Sequence, residues 1–246
     1  MISNGKLDDA LLEEFMTGFY GYGDWDAKVW FVGMEEGGGK DIAEIDKRLR
    51  TWEQLGKNEL VDVCVYLSTI GVAKFFDLNK PVLQRTWGNL IRLLLSLQDK
   101  LPLNSNSIKG YQASEWGRSS GETCLIELYP LPSPSTRDWK YAEWSSLPCL
   151  VNRTVYHYSL FKERADFIRL KIETHKPSKV IFYGSVYNNL WEGVIRGKFA
   201  AVESLKLWQA GNAHTDFYII RHPVAHGLTT AYFEDIGRYI RNSRVH

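Results

Sequence analysis

The chain has 246 residues, of which 44% are hydrophobic and 24% charged, and its formal net charge is +1. That length suits one α/β domain with loop insertions better than two separate cores, and the apolar content excludes a disordered chain. A charge so near zero neither supports nor excludes a nucleic-acid partner, so any DNA-binding face has to be a local patch.

In chain order, a helix is expected over 7–19, with Leu11, Leu12, Phe15 and Phe19 on one face, and then a strand over 28–32 that ends at Gly33. A second helix follows over 41–55, where Ile42, Ile45, Leu49 and Trp52 recur at helical spacing, and a third over 82–97. The polar, Gly- and Ser-rich stretch 101–121 reads as a surface loop or insertion. A strand over 123–129 ends at Pro130, and 130–148 is a second long irregular segment of the kind that often carries function. A helix over 160–175 is stopped by Pro177. Strands over 179–183 and 216–220 end at Gly184 and at Arg221-His222-Pro223, and a helix over 232–241 closes the pattern. The four strands are nearly continuously apolar, as strands covered on both faces are. Their alternation with helices argues for an α/β fold with a parallel sheet, read here as a single domain over 1–246 with insertions near 101–121 and 130–148.

Nine Trp, thirteen Tyr and eleven Phe are many for this length, and most of them belong to the core. Cys64, Cys124 and Cys149 are far apart, too few for a four-thiolate cluster, and do not form a disulfide framework. With no apolar leader over 1–9 and no long apolar run, the expectation is a cytoplasmic protein with no membrane partner.

Ligands of an open parallel sheet bind at the carboxyl ends of its strands, so the residues after each strand carry the chemistry. After the first come Gly33, Met34, Glu35, Glu36, Gly37, Gly38 and Gly39. The glycines allow a tight turn with N–H groups aimed at a ligand. The run is neither a P-loop, because Asp41 follows Lys40, nor a GxGxxG fingerprint. A carboxylate there can orient water or stabilise an oxocarbenium-like transition state. Taken alone, Glu35 or Glu36 reads equally well as a cap on the following helix. After the last strand, His222, followed by Pro223, can donate to an oxygen that gains charge, although a lone histidine near a turn is more often structural.

Together, the two clusters resemble the signature motifs of the uracil-DNA glycosylase superfamily. In that family the first motif reads roughly G-M-N-P-G, G-Q-D-P or G-E-A-P-G, and the second begins His-Pro. Glu127-Leu128-Tyr129-Pro130-Leu131 sits where one branch of the family has Asn-x-x-Pro-Leu. The resemblance spans roughly 28–241 and is weak outside the motifs. It implies a three-layer α/β/α sandwich around a four-stranded parallel sheet. It also implies a monofunctional DNA glycosylase that flips a base out of DNA, with no metal, no organic cofactor and no obligate protein partner. Under it, Glu35 takes the water-positioning place, with Glu36 beside it, and His222 holds the departing base. Val224, His226 and Leu228 lie in the loop that enters the duplex, with His226 or Leu228 as the wedge. Glu127 takes the base-reading place, with Met34, Tyr129 and Trp52 beside the base, though the helical spacing of Trp52 favours the core. Gly37, Gly38, Gly39, Lys40, Ser133, Ser135, Arg137, Gly184 and Ser185 are candidate DNA contacts. Arg238, Arg241 and Arg244 form a basic stripe that reads more readily as a solvated face.

The chain departs from the family pattern at Glu36, which replaces Pro or Ala, in lacking Ser after His-Pro, and above all at Glu127, which replaces Asn. An ionised Glu only accepts hydrogen bonds, whereas Asn both donates and accepts. The expectation is therefore a cytosine-type base whose exocyclic amine Glu127 accepts. A 5-substituted cytosine is coherent with this, and the chain then resembles the superfamily's phage-defence glycosylases that remove glucosylated hydroxymethylcytosine. The alternatives are a uracil-type repair glycosylase, a non-catalytic nucleic-acid-binding module on the same fold, and a hydrolase acting on a small nucleoside.

Overall fold

Asp8, Asp41, Asn152 and Thr229 each stand just ahead of a helical run, and each accepts a backbone N–H of the first turn through its side chain. These caps fix where four helices begin. The computed structural model describes residues 5–135 and 137–243. Its regular elements are α1 (Asp9–Gly18), β1 (Gly21–Gly23), β2 (Val29–Gly37), α2 (Ile42–Gln54), β3 (Leu60–Val61), α3 (Val63–Thr69), α4 (Arg85–Leu97), α5 (Ser105–Ser114), β4 (Thr123–Ser133), α6 (Tyr141–Trp144), α7 (Arg153–His175), β5 (Lys179–Tyr183), α8 (Asn188–Ile195), β6 (Ala200–Val202), β7 (Leu207–Gly211), β8 (Asp216–Ile220) and α9 (Thr230–Asn242).

The chain is an α/β protein, and among the described residues eight strands form one mixed sheet in the order β3-β1-β4-β2-β5-β8-β7-β6. The expected sheet of four parallel strands is thus too small. The four apolar runs are β4, β2, β5 and β8, which pair parallel in the middle. β1 adds antiparallel to β4, and a β6–β7 hairpin adds antiparallel to β8. Trp30, Phe31 and Val32 of β2 are all buried, so both faces of the sheet are covered. Trp30 meets Trp25 on one face, and Phe31 meets Trp116 on the other.

Neither expected insertion is a loop. Within 101–121, α5 buries Ile108, Gln112 and Ala113, and Trp116 just beyond it is fully buried. The Gln112 amide ties this helix to the chain ahead of α4, donating to the carbonyls of Phe75 and Val82 and accepting the Gln84 N–H. Within 130–148, β4 runs on through Pro130 and Pro132 to Ser133, and α6 follows. α7 starts at Arg153, seven residues before the expected 160. Among the described residues no helix is long and apolar enough to cross a membrane.

Candidate active site

The carboxyl ends of β2, β4, β5 and β8 open on a cleft of about 710 Å³, lined among others by Met34, Glu35, Glu36, Gly37, Trp87, Glu127, Tyr183, Gly184, His222 and Val224. Ligand pockets commonly enclose ~300–1,000 Å³. Glu35 and His222, contributed by strands near opposite ends of the chain, therefore face one space. Ser133 and Ser135 also reach its wall.

Each carboxyl group of the cleft is held differently. Glu35 accepts from His157 Nε2 at 2.5 Å on one oxygen and pairs with the Arg153 guanidinium on the other. Arg153 and His157 stand four residues apart on the first turns of α7, so both reach the same side of Glu35. Arg153 is itself fixed by Ser133 Oγ (2.7 Å) and the carbonyls of Ser135 and Asp138 (2.9 and 2.6 Å), with Trp139 beneath it. Glu36 accepts from Tyr22 Oη and from Arg48 Nη1 at 2.8 Å. Among the described residues Glu127 has no cation on its side chain. It accepts from Tyr183 Oη at 2.6 Å through Oε1, while its buried Oε2 has no hydrogen-bond partner among them.

Burial, with Glu35 and Glu36 nearby, pushes the Glu127 carboxyl up to about 8 against the pull of the Tyr183 hydrogen bond and Arg164. The expected ionised acceptor is thus corrected: at neutral pH Glu127 holds its proton and presents one donor and one acceptor. Glu127 and Tyr183 meet over Gly33. A Cβ on Gly33 would stand 2.1 Å from Tyr183 Oη and 2.4 Å from Glu127 Oε2. Gly33→Ala is accordingly expected to destabilise the fold by about 1–3 kcal/mol through overpacking. Thermal unfolding checks this, and an unchanged melting temperature contradicts the contact.

His222 is exposed at the cleft, yet loss of solvation there pulls its pKa below the usual imidazole range. Its Nδ1 faces the Val224 N–H at 3.4 Å, which puts the ring proton on Nε2. Asn89 Nδ2 donates to Pro223 O at 2.7 Å and pins the loop to α4.

The remaining candidates lie elsewhere. Trp52 is in the core, edge-on to Phe15 at 5.3 Å, and donates its indole N–H to Asn58 O. Tyr129 is buried behind the site, stacked on His157 at 4.1 Å. Gly38 and Gly39 form the positive-φ turn, in which Gly39 passes so close to Pro132 O that a Cβ would stand 2.5 Å from it. The N–H groups of Gly39 and Lys40, expected to face a ligand, are taken by the Glu44 carboxylate. The Ser133 hydroxyl is likewise spent on Arg153 and its own loop. Ser185, Arg137 and His226 lie off the cleft wall, and Leu228 packs against the core. Arg238 pairs with Asp235 and Arg241 with Asp99, as on a solvated face, and Arg244 is outside the described residues.

Sequence reasoning missed Arg153, His157, Tyr183 and the aromatic wall of Phe75 and Trp87, whose rings lie 5.7 Å apart. The i, i+4 spacing of Arg153 and His157 behind the Asn152 cap was the available signal. No protein-family model and no curated protein matches the chain.

Proposed function

We propose that the chain is a monofunctional DNA glycosylase of the uracil-DNA glycosylase type, which hydrolyses the bond between deoxyribose and a flipped-out base and leaves an abasic site. One observation carries the reading: Glu35 and His222 face the same cleft at the ends of parallel strands. Strands buried on both faces agree with the three-layer sandwich this reading implies.

In the reaction, the base enters beside Trp87 and Phe75. Glu35, held from behind by Arg153 and His157, orients a water toward C1′, and its charge favours the oxocarbenium-like transition state. The neutral His222 ring donates its Nε2–H to the base O2 as charge develops there. Among the described residues no lysine lines the cleft, and the reading is accordingly hydrolysis by water rather than a Schiff-base route. Val186 and Val224 are exposed apolar side chains at the cleft, 85% and 48% accessible, and replace His226 and Leu228 as wedge candidates.

The substrate we favour is a 5-substituted cytosine, such as glucosylated hydroxymethylcytosine in phage DNA, for which a cleft of about 710 Å³ leaves room beyond the ring. The proton on Glu127 supports a second reading, excision of uracil, because a carboxylic acid can serve uracil's N3–H and O4 as an amide does.

The test is a panel of duplex and single-stranded oligonucleotides, each with one uracil, cytosine, 5-hydroxymethylcytosine or glucosylated hydroxymethylcytosine, cleaved by alkali after incubation. Strand breaks at the substituted cytosine are expected, with His222→Ala slower by about 100-fold, the usual effect of removing one transition-state donor. Cleavage at uracil alone selects the second reading. DNA binding without strand breaks on any substrate selects the non-catalytic module.

A further inference from the structure

Three carboxyl groups face the cleft, and their partners divide the work. Glu35 and Glu36 are each paired with a guanidinium, from Arg153 and Arg48. Glu127 has instead a phenol on Oε1 and, among the described residues, nothing on its buried Oε2. The groups that face it are Glu35 and Glu36 from β2, Tyr183 from β5, Arg164 from α7, Tyr22 from β1 across a small inner cavity, and His222 across the cleft. Two of these are like charges; the Arg164 guanidinium is spent on the carbonyls of Leu128, Met16 and Glu127, and Arg48, which also lines the cleft, is paired with Glu36 and Glu44.

We propose that Glu127 is the acid of the reaction: its Oε2–H protonates a ring nitrogen of the departing base while Oε1 accepts the neighbouring exocyclic amine. This rests on the reading of the cleft as a base-excision site. The ligand chemistry is an amidine edge, a ring nitrogen lone pair beside an amino group, as at N3 and N4 of cytosine or N1 and N6 of adenine. Uracil lacks it, since its N3 carries a proton.

The chemistry of the leaving group asks for such an acid. Cytosine has one carbonyl where uracil has two, and its amine releases electrons into the ring, so it leaves poorly as an anion. As the N1–C1′ bond breaks, its electron pair passes to the base, and the Oε2 proton moves to N3. The base departs neutral and Glu127 is left as a carboxylate. The water oxygen bonds to C1′, its proton passes to Glu35, and exchange with solvent returns the two carboxyls to their starting forms. A carboxyl held near 8 is protonated in the resting protein and is close enough to neutrality to give the proton up.

The experiment is single-turnover base release by the full chain between pH 5.5 and 9.5, on oligonucleotides carrying 5-hydroxymethylcytosine, its glucosylated form, adenine or uracil. The wild type is expected to release the aminated base at full rate below about pH 8 and to lose rate as pH rises through that value, because the protonated form is the active one. The cytosine and adenine arms tell which amidine edge is taken. Glu127→Gln keeps one donor and one acceptor but has no proton to give. It is expected to bind the oligonucleotide within a few-fold of wild type, to release base at least about 100-fold more slowly at pH 7, and to lose the alkaline limb. Tyr183→Phe removes a hydrogen bond that favours the carboxylate, so its limb should move to higher pH. Wild-type rate in Glu127→Gln, or an unchanged alkaline limb in both variants, overturns the acid role while leaving the glycosylase reading intact. Absence of base release by the wild type from every oligonucleotide overturns both.

Discussion

Glu35→Gln is expected to slow base release by about 1,000-fold or more, within the ~100- to 10,000-fold that a positioned acid–base group contributes. The substitution keeps volume and removes charge, but the local geometry makes it harsher than an isostere usually is. Both Glu35 oxygens accept from fixed donors, His157 Nε2 on one side and the Arg153 guanidinium on the other. A glutamine has one oxygen and one NH2, so with its oxygen kept on Arg153 it turns the NH2 toward His157, whose Nε2 then has to switch from donor to acceptor. The water loses the acceptor that orients it, and the oxocarbenium-like transition state loses a negative charge at the cleft wall. Arg153 keeps its bonds to Ser133 Oγ and to the carbonyls of Ser135 and Asp138, so the loop ahead of α6 should stay in position. The check is single-turnover kinetics beside a melting curve. A variant that folds and releases base at the wild-type rate removes Glu35 from the chemistry.

The parts of this molecule that could be read in the sequence are those whose signal is local. β2, β4, β5 and β8 are continuous apolar runs because they are buried on both faces, and a run of that kind needs no partner to be recognised. β1 and β3, three and two residues long, carry no periodicity, and their strand character comes only from pairing at the sheet edge. α5 escaped notice because its sequence, SNSIKGYQAS, is mostly polar and turns only Ile108, Gln112 and Ala113 inward. The cleft divides in the same way. Glu35 and His222 were legible because each lies at the carboxyl end of an apolar run, although β2 runs on past the expected stop at Gly33 to Gly37 and so holds Glu35 within the strand. Arg153 and His157 lie more than a hundred residues from the carboxylate they hold, and only the fold couples them. The identity of Glu127 was plain, but its charge state was not. Ionisation depends on how much water and which cations surround the group, and on the removal of a side chain at Gly33 that lets Tyr183 reach it.

Arg164→Ala is expected to cost about 4 kcal/mol or more, a large share of the ~5–15 kcal/mol that holds a domain folded. Arg164 is fully buried on α7, with its guanidinium over the Tyr20 ring at 4.0 Å. Its nitrogens donate to Leu128 O at 2.6 Å, Met16 O at 2.8 Å and Glu127 O at 3.0 Å, stitching α7 to β4 and to the end of α1. Alanine strands these carbonyls in the interior, where an unsatisfied polar group costs ~1–3 kcal/mol, and leaves a cavity under Tyr20. For a chain of this size the loss corresponds to a melting temperature lower by about 10 °C. A shift of under 2 °C would mean that the carbonyls find other donors. Lysine restores the charge but has no fork to span three acceptors, so Arg164→Lys should recover only part of the stability. That variant also separates packing from chemistry. One of the three carbonyls belongs to Glu127, so a folded Arg164→Lys protein should hold the carboxyl less firmly over Gly33 and release base more slowly while Glu35 and His222 remain in position.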